Sequence, residues 1–285
     1  MTYLPAIVVC RIVAAFAFGL AMSGGVGARP AAVVTDIEGR ATLHRGDKSM
    51  PIALLTEIGD SEQVELAPNA RLTIVQYWTS QEYALRGPSR VRFGYSGPEG
   101  MTGTPPEKRG GESRLRLNPA GLVQAVVQMR SLGGGQVKLL APIGLQILEL
   151  VPEFRWEPVA GASEYRFSLS GDKGTSVFEA RVAEARVALP SERTLVAGAG
   201  YAWRVTAVRP GAPEQSGTGG FTTASTDLAE EVRRYRPAEG APVSDLVIYA
   251  LWLRQAKLDA EAERFWRKVR EQRPAEPVLK TLIGE

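Results

Sequence analysis

The sequence is poor in the residues that most often carry catalysis and metal binding. It contains one cysteine, Cys10, and one histidine, His44, in 285 residues. A single histidine leaves no partner for a histidine-based triad or a multi-histidine metal site. G-x-S-x-G, Walker, H-E-x-x-H and dinucleotide fingerprint motifs are also missing. We therefore expect a protein that is not an enzyme, with no catalytic, cofactor-binding or metal-binding residues and no cofactor. A hydrolase built on two carboxylates stays open, because such pairs have no sequence signature.

An excess of charge of one sign is missing too. Lys and Arg number 34 and Asp and Glu 31, so the net charge is only +3, and no basic patch stands out. Nucleic-acid binding usually requires such a patch, so we expect no nucleic-acid partner. The apolar fraction of 44% and the charged fraction of 23% are typical of a globular protein. Thirty Gly and nineteen Pro indicate many turns and favour β-rich modules.

The one long apolar run lies near the N-terminus. Residues 12–22 are apolar and follow Arg11, and small residues lead up to Ala28. This pattern predicts a signal peptide at residues 1–28 and a periplasmic protein. Cleavage would remove Cys10 and leave a chain without thiols. The alternative is an uncleaved inner-membrane anchor from Leu4 to Met22, which would bury Arg11 at a cost of about 2.5–3.5 kcal/mol. Only this alternative implies membrane contact.

Residues 29–94 predict a small all-β domain. Short apolar-alternating runs are separated by turn residues at Glu38-Gly39, at "APNA" and at Gly87-Pro88. The segments at 39–46, 58–60, 69–74 and 85–93 resemble those of the FecR-like domain, the extracytoplasmic module of iron-dicitrate-type signalling regulators. The resemblance implies an extracytoplasmic role in signalling. Two departures are that no cytoplasmic anti-sigma segment precedes the apolar run, and that the later half of the family's domain is not recognisable after Gly94.

Residues 95–136 are expected to be a linker and connecting segment. Tyr95 to Ser113 is rich in Gly, Pro and charge, with Met101 almost its only apolar residue, which predicts a loop. Asn118-Pro119 is a good helix start. The following "GLVQAVVQM" fits a strand equally well, so the structure of residues 114–136 stays open.

Residues 137–225 predict a β-sandwich. Phe154 and Trp156 alternate with the charged Arg155 and Glu157, and the same period of two recurs in "YRFSL" at 165–169 and "YAWRVTAV" at 201–208. Six or seven strands across about 85 residues fit a two-sheet sandwich. The order and spacing of these runs resemble the fibronectin type III fold, which implies a role in spacing and protein contact, and no catalysis. Because the residues between the aromatics are charged, we expect core positions rather than a sugar-binding platform. These are Trp156, Tyr165, Tyr201 and Trp203.

Residues 226–285 predict helices, so the expected fold class is mainly β with a C-terminal α-helical segment. Two apolar stripes at helical spacing, one after a Ser244 cap and one ending before Pro274, resemble a single tetratricopeptide unit. The alternative is a helical hairpin that packs on the protein's own sandwich. Ile248, Trp252 and Phe265 lie off the shared stripe and need a further partner. We expect at least one of them to dock on the sandwich and the remainder to form a partner surface.

Three functional hypotheses follow. The first is an exported scaffold that contacts other cell-envelope proteins through its sandwich and hairpin. The second is an extracytoplasmic component of a FecR-type signalling system. The third is a cell-wall glycan-binding protein, for which the candidate stacking aromatics are Tyr77, Trp78 and Tyr83.

Overall fold

The computed structural model describes residues 29–110, 115–118, 134–142, 144 and 146–283. The predicted signal peptide lies outside them, as do residues 114 and 119–133 of the undecided stretch at 114–136. The mainly β fold with a helical C-terminal part is confirmed. None of the helices in these ranges is both long and apolar enough to cross a membrane.

The N-terminal β-domain consists of two five-stranded antiparallel sheets. The strands of the first sheet are β1 (Pro30–Glu38), β4 (Glu57–Gly59), β6 (Arg71–Gln76), β7 (Glu82–Arg86) and β10 (Glu107–Arg109). Their order across the sheet is β10-β7-β6-β1-β4. The strands of the second sheet are β2 (Ala41–Arg45), β3 (Lys48–Pro51), β5 (Gln63–Leu66), β8 (Ser89–Gly94) and β9 (Gly97–Gly103). Their order across the sheet is β3-β2-β5-β8-β9. The predicted turn at Gly39 joins β1 to β2 with a φ of +82°, which favours glycine.

The structure differs from the sequence prediction between residues 95 and 110. Strands β9 and β10 lie in this stretch, where a loop or linker was expected, and each adds an edge strand to one of the two sheets. The segment "GPEGMTG" has no apolar alternation because most of β9 is exposed. An edge strand is held by main-chain hydrogen bonds to one neighbour and needs little side-chain burial. The β-domain therefore continues past Gly94.

The first sheet of this domain is buried on both faces. Ala32, Val34, Leu72 and Ile74 pack into the core between the two sheets. Val33, Val75 and Tyr77 point the other way and belong to a second core, which they share with the C-terminal helices. Every residue at 31–34 and 72–75 is buried, including the polar Thr73, since a strand that is covered on both faces loses the alternation of a half-exposed one.

The β-sandwich pairs a larger sheet with a three-stranded sheet. The strands of the larger sheet are β11 (Gly134–Gly135), β13 (Gln146–Ile147), β15 (Glu164–Gly171), β16 (Ser176–Val182), β18 (Gly200–Val208) and β19 (Gln215–Thr223). Their order is β11-β19-β18-β15-β16, and β13 pairs with β19 in parallel. The smaller has the order β12-β14-β17, and its strands are β12 (Leu139–Ala141), β14 (Glu153–Trp156) and β17 (Arg186–Ala188).

Aromatic residues fill the core of the sandwich. Phe154 lies 4.7 Å from Phe167 and 5.2 Å from Trp203 between ring centroids. Trp156 is 1% exposed and meets Tyr165 edge-on at 5.3 Å. The prediction that Trp156, Tyr165 and Trp203 are core residues is confirmed. Tyr201 is half-buried and stacks on Phe221.

Four helices form the C-terminal part of the described chain. They are α1 (Thr226–Tyr235), α2 (Val243–Gln255), α3 (Asp259–Gln272) and α4 (Val278–Leu282). The Ser225 hydroxyl caps α1 by accepting a hydrogen bond from the Leu228 amide. Ser244 does not cap α2 as predicted, because the helix begins at Val243 with Pro242 at the N-cap position, so Ser244 lies within its first turn. Lys257, with a φ of +60°, lies in the short turn between α2 and α3.

The helices dock on the N-terminal β-domain, whereas the sequence predicted that at least one of Ile248, Trp252 and Phe265 docks on the sandwich. Helix α2 packs on β1. Its buried residues share a core with Val33, Leu54, Val75 and Tyr77. The expectation rested on the short connection between sandwich and helices, but chain connectivity does not decide which apolar face a helix covers. The helices cover the outer face of β1 and β6, and the sandwich is thus inserted between two parts that pack together.

Candidate functional site

The three residues predicted as a partner surface lie mostly inside the protein. Ile248 is 5% and Phe265 4% exposed, both in the core shared with the β-domain. Phe265 contacts Tyr249 edge-on, with 4.6 Å between ring centroids. Trp252 is half-buried and stacks on Tyr249 at 5.7 Å. Of the three, Trp252 alone presents a substantial surface, so the predicted partner surface is largely used for intramolecular docking.

An ion-paired contact reinforces this docking. The Arg273 guanidinium donates two hydrogen bonds to the Asp36 carboxylate, at 2.9 and 3.0 Å, and a third to Glu38 at 2.8 Å. The Leu54 amide donates to the Glu276 carboxylate at 3.1 Å. Arg273 and Glu276 follow α3, whereas their partners belong to the first strands and loops. The two ends of the described chain are therefore held together by polar contacts as well as by a shared core.

A cleft of about 400 Å³ lies between the β-domain and α2. Glu82 and Arg109 come from β7 and β10, and Asp245 comes from the first turn of α2. The Arg109 guanidinium lies 3.3 Å from Glu82. Burial raises the pKa of the Glu82 carboxyl and that of Asp245, although Arg109 opposes both shifts. Such carboxyls bind protons more readily than free ones.

Raised carboxyl pKa values in a cleft are typical of acid–base sites but also of packed interfaces. Here both carboxyls lie where two structural units meet, and the nearest cation is already paired with one of them. The described residues offer no group of three or more His, Cys, Asp or Glu side chains that could hold a metal ion.

His44 lies apart from the cleft, on β2, where Nδ1 is 3.0 Å from the Ser49 hydroxyl and Nε2 is 3.3 Å from Glu65.

The predicted stacking aromatics separate into two buried rings and one exposed ring. Tyr77 and Tyr83 are 5% and 6% exposed. The Tyr77 hydroxyl donates to Glu57 at 3.0 Å, and burial raises the pKa of its phenol. Neither ring can stack on a ligand. Trp78, in the turn between β6 and β7, is 52% exposed.

The partner of Trp78 is a residue that the sequence analysis did not select. Tyr95, in the turn between β8 and β9, is 70% exposed, and its ring centroid lies 5.6 Å from that of Trp78 at an interplanar angle of 37°. These two residues are called the aromatic pair below. No local pattern connects them, because they belong to turns of different sheets. The placement of Tyr95 in an uncharged "GYSG" turn, with no apolar neighbour to pack on, is the sequence feature that could have drawn attention to it.

A buried amide holds the two turns together. Gln76 is 1% exposed, and its Nε2 donates to the Tyr95 carbonyl at 2.6 Å. Its Oε1 accepts from the Thr79 hydroxyl at 2.9 Å. One side chain thus fixes the turn that carries Trp78 and the turn that carries Tyr95.

No family model matches the chain, and no curated protein matches it. Two solved structures of fibronectin type III domains are similar to it. One is FN3tt, 16% identical, which covers 30% of this chain and 95% of its own, with a TM-score of 0.22. The other is the chicken CNTN1 FN1–FN3 structure, 11% identical, which covers 70% of this chain and 69% of its own, with a TM-score of 0.24. The sandwich itself is assigned from its own strand order.

Proposed function

We propose that this protein is a non-enzymatic binding scaffold of the bacterial cell envelope, which contacts other proteins through its sandwich. The observation that carries the proposal is the docking of the C-terminal helices on the N-terminal β-domain. This docking buries most of the apolar helix surface that the sequence predicted as a partner surface. It leaves the sandwich as an inserted module whose edges and outer faces are available.

Strand β16 is the part of the sandwich best suited to a protein contact. In the described chain it pairs with β15 and with no other strand, so it forms an edge of the larger sheet. An edge strand presents main-chain donors and acceptors that an extended segment of another protein can pair with. The Arg193 side chain donates to the Val177 carbonyl at 2.9 Å and so occupies one of these acceptors. Exposed charges at Glu179 and Arg181 oppose indiscriminate pairing.

Two features of the sequence support placement in the envelope. Residues 1–28 have the pattern of a cleaved export segment. The chain after Ala28 contains no cysteine, so oxidation in an oxidising compartment cannot crosslink it. A role in FecR-type signalling stays a hypothesis that depends on the motif resemblance of the N-terminal β-domain.

The experiment is site-specific photocrosslinking in intact bacteria. A photoreactive amino acid replaces Glu179 on β16 or, as the control, Asp47 in the β2–β3 turn; both residues are exposed. We expect a discrete protein adduct from position 179 and none from position 47. Absence of an adduct at position 179, or the same adduct at both positions, would contradict the proposed role of the sandwich edge.

A further inference from the structure

We infer that the aromatic pair, Trp78 with Tyr95, is a binding site for a neutral carbohydrate. The inference is independent of the scaffold role, because the pair lies on the N-terminal β-domain and not on the sandwich. It depends on the exposure of the two rings, the chemistry of the turns around them, and the fixed geometry of those turns.

The two rings form a small apolar surface in contact with water. A Trp or Tyr side chain has about 150–250 Å² of surface to bury. At exposures of 52% and 70%, the pair presents roughly 200–300 Å² in total. A standard protein interface buries about 800 Å² on each partner. The area of the pair is therefore too small for a protein interface of that kind and suits one or two sugar rings.

The surroundings of the pair favour a neutral, hydroxyl-rich ligand. The turn at 77–81 has the sequence YWTSQ and the turn at 94–97 the sequence GYSG, and neither contains a charged residue. Thr79 and Ser96 are exposed, and Gln81 is half-buried. A pyranose presents a C–H face that can pack on an aromatic ring and hydroxyls at its rim that bind hydroxyl and amide side chains. An acidic or basic ligand would find no counter-charge in these turns.

The site is formed before a ligand arrives. The buried Gln76 amide bonds to the Tyr95 carbonyl and to Thr79, as described above. Gly97 follows Tyr95 in a left-handed conformation, with a φ of +133°, and a Cβ at this position would lie 2.8 Å from the Tyr83 hydroxyl. The backbone of this turn is therefore closely packed on a buried ring. A fixed platform loses little conformational entropy on binding, which allows a small contact area to give measurable affinity.

The test is a titration of the full mature chain with neutral tetrasaccharides. Chitotetraose and cellotetraose are the probes, and tetragalacturonate is the charged comparator. Tryptophan fluorescence and saturation-transfer NMR report binding. We expect saturable binding of at least one neutral probe and weaker binding of the acidic one.

The variants Trp78→Ala and Tyr95→Ala should each weaken that binding by about tenfold, since loss of an aromatic contact of up to about 1.5 kcal/mol corresponds to that factor. Trp78→Phe should keep most of the binding. Val196→Ala is the control, because Val196 is an exposed apolar residue at 67% on the sandwich. Thermal unfolding of each variant checks that the fold is kept.

Failure of both neutral probes to bind would overturn the inference. Binding that is unchanged in Trp78→Ala and Tyr95→Ala would overturn it as well, because the sugar would then bind elsewhere. If photocrosslinking at Ser96 in intact cells gives a protein adduct that Trp78→Ala abolishes, the pair is a protein contact and the carbohydrate assignment is wrong.

Discussion

Substitution of Arg273 by Ala tests whether the C-terminal helices are held on the N-terminal β-domain. Arg273 is 22% exposed and donates to Asp36, which is 20% exposed, and to Glu38, which is 50% exposed. Asp36 also accepts a local hydrogen bond from the Ile37 amide, so it keeps one partner when Arg273 is removed. The contact with Glu38 is expected to contribute little, because exposed ion pairs contribute about 0–1 kcal/mol.

The bidentate contact with Asp36 dominates the expected effect. Hydrogen bonds to charged groups contribute about 1.5–3 kcal/mol when buried. With partial exposure, we expect Arg273→Ala to lower the free energy of unfolding by about 1–2 kcal/mol. For a chain of this size, each 1 kcal/mol corresponds to about 2–4 °C in Tm. The expected loss is therefore about 2–8 °C.

Urea unfolding and a double-mutant cycle with Asp36→Ala measure this coupling. We expect a coupling energy of about 1 kcal/mol. The matched control is Arg267→Ala, since Arg267 pairs with Glu263 four residues earlier in the same helix and should change stability by no more than about 0.5 kcal/mol. If Arg273→Ala costs no more than Arg267→Ala, or if the coupling to Asp36 is zero, the ion pair does not hold the helices in place.

Three further predictions concern the sandwich, the cleft and the N-terminus. Trp156→Ala should destabilise the protein by about 3–5 kcal/mol in urea unfolding through loss of a buried aromatic, and a change below 1 kcal/mol would contradict its core position. Asp245→Asn should raise the urea midpoint at pH 7. Burial raises the pKa of the Asp245 carboxyl in the folded chain, so its ionisation lowers the free energy of unfolding once the pH increases above the usual aspartate pKa of about 4, and an amide avoids this cost. This gain should vanish near pH 3, where Asp245 is protonated in both folded and unfolded chains; a gain that persists there would exclude a proton-linked cause. Intact-mass measurement of protein from the soluble periplasm should give a chain that begins at or near Arg29, and a species in the membrane fraction that retains residues 1–28 would contradict export by cleavage.

The strands that the sequence predicted well are those with one covered face. In "YRFSL" and "YAWRV", apolar and polar residues alternate because one side meets the aromatic core and the other meets water. The charged residues Arg166 and Arg204, which lie between the aromatics, indicated that the opposite face of each strand does not pack on a second apolar core. Side chains such as Trp156 could therefore be assigned to the core without knowledge of the partner strand.

Docking of the helices on the N-terminal β-domain was not predicted, because the sandwich is the nearest unit along the chain and was taken as the partner. The relevant information was in the apolar run at 31–34 and in the adjacent Ile74 and Val75, where the alternation of apolar and polar residues is lost. A short apolar run indicates a strand covered on both faces but does not say what covers it. Val33 and Val75 pack against the helices in the last part of the described chain, which are far from them in sequence.

The candidate binding surface was half predicted. Trp78 was selected, but Tyr77 and Tyr83 were grouped with it because they are close in sequence. Tyr77 and Trp78 point apart, one into the core and one into solvent. Tyr95 reaches Trp78 only through the packing of two sheets, which no local pattern encodes.

Short-range thiol crosslinking tests most directly that the first and last parts of the described chain form one unit with the sandwich inserted between them. Residues 29–285 contain no cysteine, so in a chain of these residues Asp36→Cys with Arg273→Cys gives a single thiol pair across the docking contact. Glu179→Cys with Arg273→Cys gives the control pair to the sandwich edge. We expect a short bismaleimide to join positions 36 and 273 within one chain and to leave 179 and 273 unjoined. Efficient joining of 179 to 273 with none between 36 and 273 would show that the helices lie on the sandwich, and would contradict the account.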